Sequence, residues 1–306
     1  MQDPQNITDH SANERLSGLI CRDQWLDCAN GTVIMGILNV TPDSFYDGGK
    51  YTSTSEALSR AEVMFEEGAA IVDVGGASSR PRGSVYGAGA EHVPDESEIK
   101  RIIPVIKAIR QSFPEAIISA DTFSPTVALR ALDAGAHMIN DVSGLQNGSA
   151  SAEYAAEVGA AYVVMHSVRR EGSLVHAADY SDVAVAVYES LAESAERAQE
   201  AGVKSIVIDP GFGFGKRHRD NLRLIKRLDL LTELRYPVLV GISRKSTVGQ
   251  ILSDNGAPAP VHDRLFGSLG IAAAAVLRGA KIIRTHDVRE TREMIQGLEA
   301  VLHVSS

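Results

Sequence analysis

Eight times along the chain a short apolar run is followed by a segment of helical period, and this repetition constrains the fold more than any other feature. The extended runs are Val33–Val40, Ile71–Gly75, Ile117–Asp121, Met138–Asp141, Tyr162–Met165, Ile206–Asp209, Val238–Ile242 and Ile282–Thr285. They are almost continuously apolar, the pattern of parallel strands covered on both faces. The helical segments are Ser55–Glu67, Glu96–Ser112, Pro125–Ala134, Ser151–Val158, Asp182–Ala201, Asn221–Leu234, Asp263–Leu277 and Arg289–Leu302. Several close on a Gly–Ala step before the next strand, as in "EEGAA", "DAGAH", "EVGAA" and "LRGAK". Eight β-then-α units, with no Gly-rich dinucleotide turn after the first strand, predict an α/β fold of the (β/α)8 TIM-barrel type and not an open doubly wound sheet. The stretch "LICRDQWLDCANG" ahead of the first strand predicts a short N-terminal hairpin covering the barrel bottom.

A chain of 306 residues, 44% hydrophobic, is long enough for such a barrel as a single domain, expected here over residues 16–306. The polar residues 1–15 are expected to form a disordered tail. A formal net charge of -9 argues against a general nucleic-acid or anionic-membrane surface, so an anionic ligand requires a local basic site. Cys21 and Cys28 have no second cysteine pair and no histidines at zinc-finger spacing, which disfavours a structural metal site or a disulfide framework and fits a reducing cytoplasm. No apolar run reaches the length of about 18 residues that reads as a membrane span, and Met1–Asn13 lacks the basic and apolar regions of a secretory signal.

In a barrel of this type the C-terminal ends of the strands share one rim, where chemistry is carried out. Here those ends read Asn39, the "GGASSRP" turn, Asp121, Asn140 with Asp141, Met165 with His166, Asp209, "SRKS" from Ser243 to Ser246, and Arg284 with His286. Any one of these polar residues serves as readily as a turn cap, a core histidine or half of a structural ion pair. Together, on one mouth, they carry more weight. Asn and Asp side chains suit the donor-rich edge of a heterocycle, whereas Arg, Lys and His suit an anion. The rim therefore predicts a ring with several N–H groups joined to something phosphorylated.

Seven ordered motifs carry a resemblance across about Trp25–Leu302: "MGILNVTPDSF", "DVGGASSRP", "SADT", "INDVSG", "DPGFGFGK", "GISRKS" and "IIRTHDV". On these the chain resembles the dihydropteroate synthase family of pterin-binding enzymes. The resemblance implies a transferase of folate biosynthesis that joins 6-hydroxymethyl-7,8-dihydropterin diphosphate to para-aminobenzoate, giving 7,8-dihydropteroate and diphosphate. It implies that Asp121, Asn140, Met165, Asp209, Phe214 and Lys245 hold the pterin, and that Asn39, Ser79, Arg80, Arg284 and His286 hold the diphosphate. Phe45, Pro81, Lys245 and Ser246 are implied for para-aminobenzoate, the last at a helix start whose free N–H groups receive the carboxylate. Asn39, Asp121, Lys245, Arg284 and His286 are implied as the catalytic set, with Asn39 a ligand of a Mg2+ cofactor. The family also implies a mobile "NVTPDSFYDGG" loop, a homodimer built from outer helices and a sulfonamide target.

Two features depart from the family's usual "GGESTRPG" loop: Ala77 stands where a glutamate is usual and Ser79 where a threonine is, and the segment Arg82–Pro94 is longer than expected. Both border the expected para-aminobenzoate pocket and point towards reduced sulfonamide sensitivity, by a clash placed against the drug and not the substrate. Two other readings share the barrel: a methyltetrahydrofolate-to-corrinoid methyltransferase, which has no diphosphate to hold, and an inactive paralogue that binds pterin without turnover.

Overall fold

The structure, a computed structural model, describes residues 18–40, 54–77, 93–170, 173–174 and 178–304. It opens with an antiparallel hairpin, β1 (Gly18–Cys21) and β2 (Gln24–Asp27), followed by β3 (Val33–Asn39), α1 (Thr54–Glu67), β4 (Ile71–Gly75), α2 (Asp95–Ser112) and β5 (Ile117–Asp121). Next come α3 (Pro125–Asp133), β6 (Met138–Asp141), α4 (Ala150–Glu157), β7 (Ala161–Met165) and a small hairpin, β8 (Arg169–Arg170) with β9 (Ser173–Leu174). The remainder is α5 (Val183–Glu200), β10 (Ile206–Asp209), α6 (His218–Lys226), α7 (Asp229–Thr232), β11 (Val238–Gly241), α8 (Ser246–Ile251), α9 (Leu265–Leu277), β12 (Ala280–Thr285) and α10 (Val288–Leu302).

The strands β3, β4, β5, β6, β7, β10, β11 and β12 form a closed barrel in which every pairing is parallel. The expected (β/α)8 TIM barrel is therefore the fold. Alternation along each strand sorts its residues between two cores. Ile34, Leu38, Val72, Val74, Ile118, Ala120, Ile139, Tyr162, Val164, Ile208, Val240 and Ile283 face the helices. Met35, Ile71, Ile117, Met138, Ala161, Val163, Val207, Leu239 and Ile282 fill the lower interior with Leu19, Cys21, Leu26 and Cys28 of the hairpin. Full burial of one such aliphatic side chain contributes about 1.5–3 kcal/mol.

The hairpin is fastened as well as packed. Arg22 donates its backbone N–H to Gly159 O at 2.8 Å and its guanidinium to Leu132 O and Ala136 O at 2.8 and 3.1 Å, all at the bottom of the barrel. On the outer layer α2 shows why these segments are helices: Ile102, Val105, Ile106 and Ile109 recur at helical spacing and are buried together. The Asp182 carboxylate caps α5 by accepting from Ala184 N at 3.0 Å and Val185 N at 3.3 Å.

Apart from shifts of one or two residues at element ends, three features differ from expectation. The single helix expected over Asn221–Leu234 is two: α6 begins three residues earlier, behind Arg217, which makes no side-chain cap, and the chain turns at Arg227 before α7. Only Leu265–Leu277 of the expected Asp263–Leu277 helix is α-helical, preceded by a 3-10 turn at Val261–Arg264. The β8–β9 hairpin was not anticipated, since four residues are too few for a period to register. The tail assigned to residues 1–15 lies outside the described residues.

Candidate active site

Stepping up each barrel strand by two from the interior apolar layer leads to the rim. Met35 leads to Asn39, Ile71 to Asp73 and Gly75, Ile117 to Ser119 and Asp121, Met138 to Asn140, Val163 to Met165, Val207 to Asp209, Leu239 to Gly241, and Ile282 to Arg284. Strand parity therefore turns the expected residues Asn39, Asp121, Asn140, Met165, Asp209 and Arg284 into one mouth.

Arg284 ties the mouth together. Its Nε donates to Asp73 Oδ2 at 2.6 Å and its Nη2 to Asp121 Oδ2 at 2.7 Å. Asn140 Nδ2 donates to the same Asp73 oxygen at 2.9 Å. Burial works against the Arg284 charge, but Asp73 and Asp121 more than offset it and hold its pKa above the usual value. Burial pushes Asp121 up to about 7, with Asp73 and Glu98 adding to the rise and Arg284 opposing it. Asp73 itself has no exposed surface, and neither its Oδ1 nor the Ser119 hydroxyl has a hydrogen-bond partner among the described residues. Sequence reasoning passed over Asp73, although a lone charge in "IVDVG" is the signal that finds it.

The opposite side of the mouth carries Asp209 and Lys245. Asp209 Oδ1 accepts from Gly211 N at 2.7 Å, and burial raises its pKa while Lys245 draws it back. Lys245 Nζ donates to Phe212 O at 2.5 Å and sits 4.6 Å from the centre of the Phe214 ring, a cation–π contact. Burial lowers the Lys245 ammonium to about 8, with Asp209 pulling the other way. Beneath the same turn lies Lys216, wholly buried and bonded to His166 Nδ1 at 2.7 Å. Its position closing "PGFGFGK" was visible in the sequence, and its burial was not.

Around the edge, His286 falls one residue beyond β12, exposed, with Nδ1 2.9 Å from Ser243 Oγ. Arg244 is held by Asp287 through two bonds, Nε to Oδ2 at 3.0 Å and Nη2 to Oδ1 at 2.7 Å. Ser246 is buried and opens α8, a helix of six residues, so the dipole expected there is that of a helix barely longer than one turn. Asp141 is a turn cap: Oδ1 accepts from Ser143 N and Oδ2 from Leu145 N, each at 2.8 Å. Phe45, Ser79, Arg80 and Pro81 lie outside the described residues, as does most of Arg82–Pro94. Glu98 lies against Gly76, where a Cβ would approach its Cγ to 3.0 Å.

A divalent ion has limited protein ligation to draw on. Among the described residues there is no cluster of three or more His, Cys, Asp or Glu placed to hold one. At the mouth, however, a Cβ built on Gly75 would stand 3.5 Å from Asn39 Oδ1 and 3.6 Å from Asp121 Oδ2, so two hard oxygen donors flank an open glycine. That donor set fits Mg2+ bound by one or two protein oxygens, with the remaining ligands from phosphate and water.

Comparison with known proteins places this architecture. The pterin binding enzyme family model matches residues 35–286. The dihydropteroate synthase of Escherichia coli is 44% identical over 271 residues, covering 88% of this chain and 91% of the relative. A Xanthomonas albilineans dihydropteroate synthase structure with 4-aminobenzoic acid superimposes with a TM-score of 0.84 at 38% identity, covering 94% of this chain and 99% of that one. The same organism's enzyme in complex with 7,8-dihydropteroate gives a TM-score of 0.81 at 36% identity, covering 94% and 100%. With matching motifs, a matching barrel and this extent of identity, the chain belongs to the dihydropteroate synthase family of pterin-binding enzymes.

Proposed function

We propose that the chain is a transferase that condenses 6-hydroxymethyl-7,8-dihydropterin diphosphate with para-aminobenzoate, giving 7,8-dihydropteroate and diphosphate. The observation that carries this reading is the division of one mouth, in a chain of this family, into hydrogen-bond acceptors for a heterocycle and cations for an anion. Asp209, Asp121 and Asn140 supply the first; Arg284 and Lys245 supply the second.

In the reaction the bond between the exocyclic methylene and the diphosphate oxygen breaks, and its electron pair leaves with diphosphate. The para-aminobenzoate nitrogen donates its lone pair to that methylene and then loses a proton. The pterin ring spreads the developing positive charge, so the protein's work is placement and stabilisation of the leaving anion. Asp209, partly neutralised by Lys245, accepts from the ring N–H groups, and Asp121 and Asn140 hold the remainder of the edge. Met165 and the Phe214 ring form the walls of the slot. Arg284 faces the leaving group with His286, Ser79 and Arg80, while Phe45, Pro81, Lys245 and Ser246 receive para-aminobenzoate. Asn39 would hold Mg2+, which supplies positive charge to diphosphate oxygens when bound.

Two further expectations belong to the same reading. A second copy of the chain is proposed to pack on α9, where Phe266, Gly270, Ala274 and Leu277 form one exposed stripe and Phe266 is 82% exposed. The site of action is proposed to be the cytoplasm, and no helix among the described residues is long and apolar enough to cross a membrane. The deciding experiment mixes purified protein with Mg2+, pterin diphosphate and para-aminobenzoate and follows diphosphate and dihydropteroate. Product should require both substrates and Mg2+; a folded protein that makes none overturns the reading in favour of pterin binding without turnover.

A further inference from the structure

The turn Gly211–Gly215 is gripped from both sides by lysines. From below, Lys216 Nζ lies 2.9 Å from Phe214 O, 3.0 Å from Gly211 O, 3.4 Å from His166 O and 2.7 Å from His166 Nδ1. From above, Lys245 donates to Phe212 O and rests over the Phe214 ring. Successive groups of one turn thus face alternately towards the two ammonium groups.

The glycines make this path available. Gly211 has φ +67, and a Cβ there would stand 1.9 Å from His166 O, so no side chain fits between the turn and the residue that shares Lys216. Gly213 has φ +87, and a Cβ there would press on Lys245 Cδ at 3.0 Å, so the lysine stem lies directly on bare backbone.

An ammonium taken wholly out of water is costly unless its N–H groups all find acceptors. Lys216 offsets that cost in part with carbonyls and one ring nitrogen, although burial still lowers its ammonium to about 7 while Asp209 pulls the other way. Burial and the neighbouring Lys216 charge lower the His166 imidazole to about 2, which leaves Nδ1 free to accept. Lys216 also lies among the cations, with Lys245 and Arg284, that favour ionised Asp209. An aliphatic residue would fill the same space without either effect.

We propose that Lys216 is a positioning residue for the pterin half of the site: it fixes the Gly211 and Phe214 carbonyls from beneath, and so sets the Phe212 carbonyl and Phe214 ring on which Lys245 is aligned with Asp209. It does not touch substrate and acts through Lys245, Phe214 and Asp209. The inference rests on the pterin reading of this mouth and deepens it.

The test compares the intact wild-type chain with Lys216→Met, which keeps the length of the stem and removes the donors and charge, and with Lys216→Arg. Calorimetry with 6-hydroxymethylpterin measures the pterin half, and calorimetry with inorganic diphosphate and Mg2+ measures the anion half. Lys216→Met is expected to weaken hydroxymethylpterin by about tenfold or more, to leave diphosphate binding within about twofold, and to be partly rescued in Lys216→Arg. Equal loss for both ligands, or none for hydroxymethylpterin in a folded variant, overturns the proposal. If Lys216→Met does not fold, the wild-type protein labelled with 15N at lysine Nζ decides: hydroxymethylpterin must shift the slowly exchanging buried ammonium signal, and an unmoved signal overturns the proposal. Wild-type protein that binds hydroxymethylpterin but forms no dihydropteroate would sink the proposed reaction and leave this comparison standing. Absence of hydroxymethylpterin binding in the wild type would sink both.

Discussion

Arg284 and Asp73 are joined across the barrel interior by a 2.6 Å bond from Nε to Oδ2, although 211 positions separate them in the chain. The same carboxylate oxygen takes the Asn140 amide, so Asp73 links the side of the mouth expected to hold diphosphate to the side expected to hold pterin. Its removal should strand a largely buried guanidinium. Asp73→Ala is expected to lower stability by about 3–5 kcal/mol, as breaking one side of a buried pair does, and to reduce kcat/KM along with it. Denaturant unfolding read beside steady-state kinetics checks this; a loss below about 1 kcal/mol, the range of an exposed pair, would mean that Asp121 alone is sufficient for Arg284.

The two halves of the mouth should separate by mutation. Asp209→Asn exchanges an acceptor for a donor opposite the ring N–H groups, and hydroxymethylpterin binding should weaken by about 1.5–3 kcal/mol. Arg284→Ala should instead weaken the diphosphate ester far more than the free alcohol. Calorimetry with both ligands distinguishes them, and an unchanged pterin affinity in Asp209→Asn would make Asp209 only a cap for the Gly211 turn.

Glu98, beside the mouth and electrostatically linked to Asp121, offers a stability test. It is 5% exposed, and burial raises its carboxyl to about 7, with its Thr122 hydrogen bond opposing and Asp95 adding to the rise. A carboxyl whose folded pKa is raised binds more protons folded than unfolded between its ordinary value of 4.5 and about 7, so its contribution to stability falls as pH rises through that window. Glu98→Gln removes this dependence. The variant should therefore gain on the wild type as pH climbs from about 4.5 to 7 in matched thermal melts, and parallel curves would refute the assignment.

The α9 stripe should govern assembly. Phe266→Glu places a charge at the most exposed large apolar residue described. Light scattering should show a shift from dimer to monomer with the barrel's circular dichroism retained; an unaltered mass would place any dimer contact elsewhere.

Strand–helix repetition, strand parity and the ordered motifs were enough in the sequence to give the barrel, the polar mouth at its strand ends and the family. They sufficed because a side chain's face along a strand is fixed by a period of two, and a period is local information. Local information also explains the misses. Asp73 read as one more residue of an apolar strand, and only closure of the barrel by pairing β12 with β3 brought β12 within two strands of β4 and three of β5, so that Arg284 could reach Asp73. Lys216 was only the last residue of the "DPGFGFGK" motif, until the tertiary structure folded that turn over its ammonium and set His166 beside it. The break between α6 and α7 likewise has no glycine or proline to announce it. Periodicity says which way a side chain points; which of several groups it meets there is decided by elements distant in the chain, and so by tertiary structure alone.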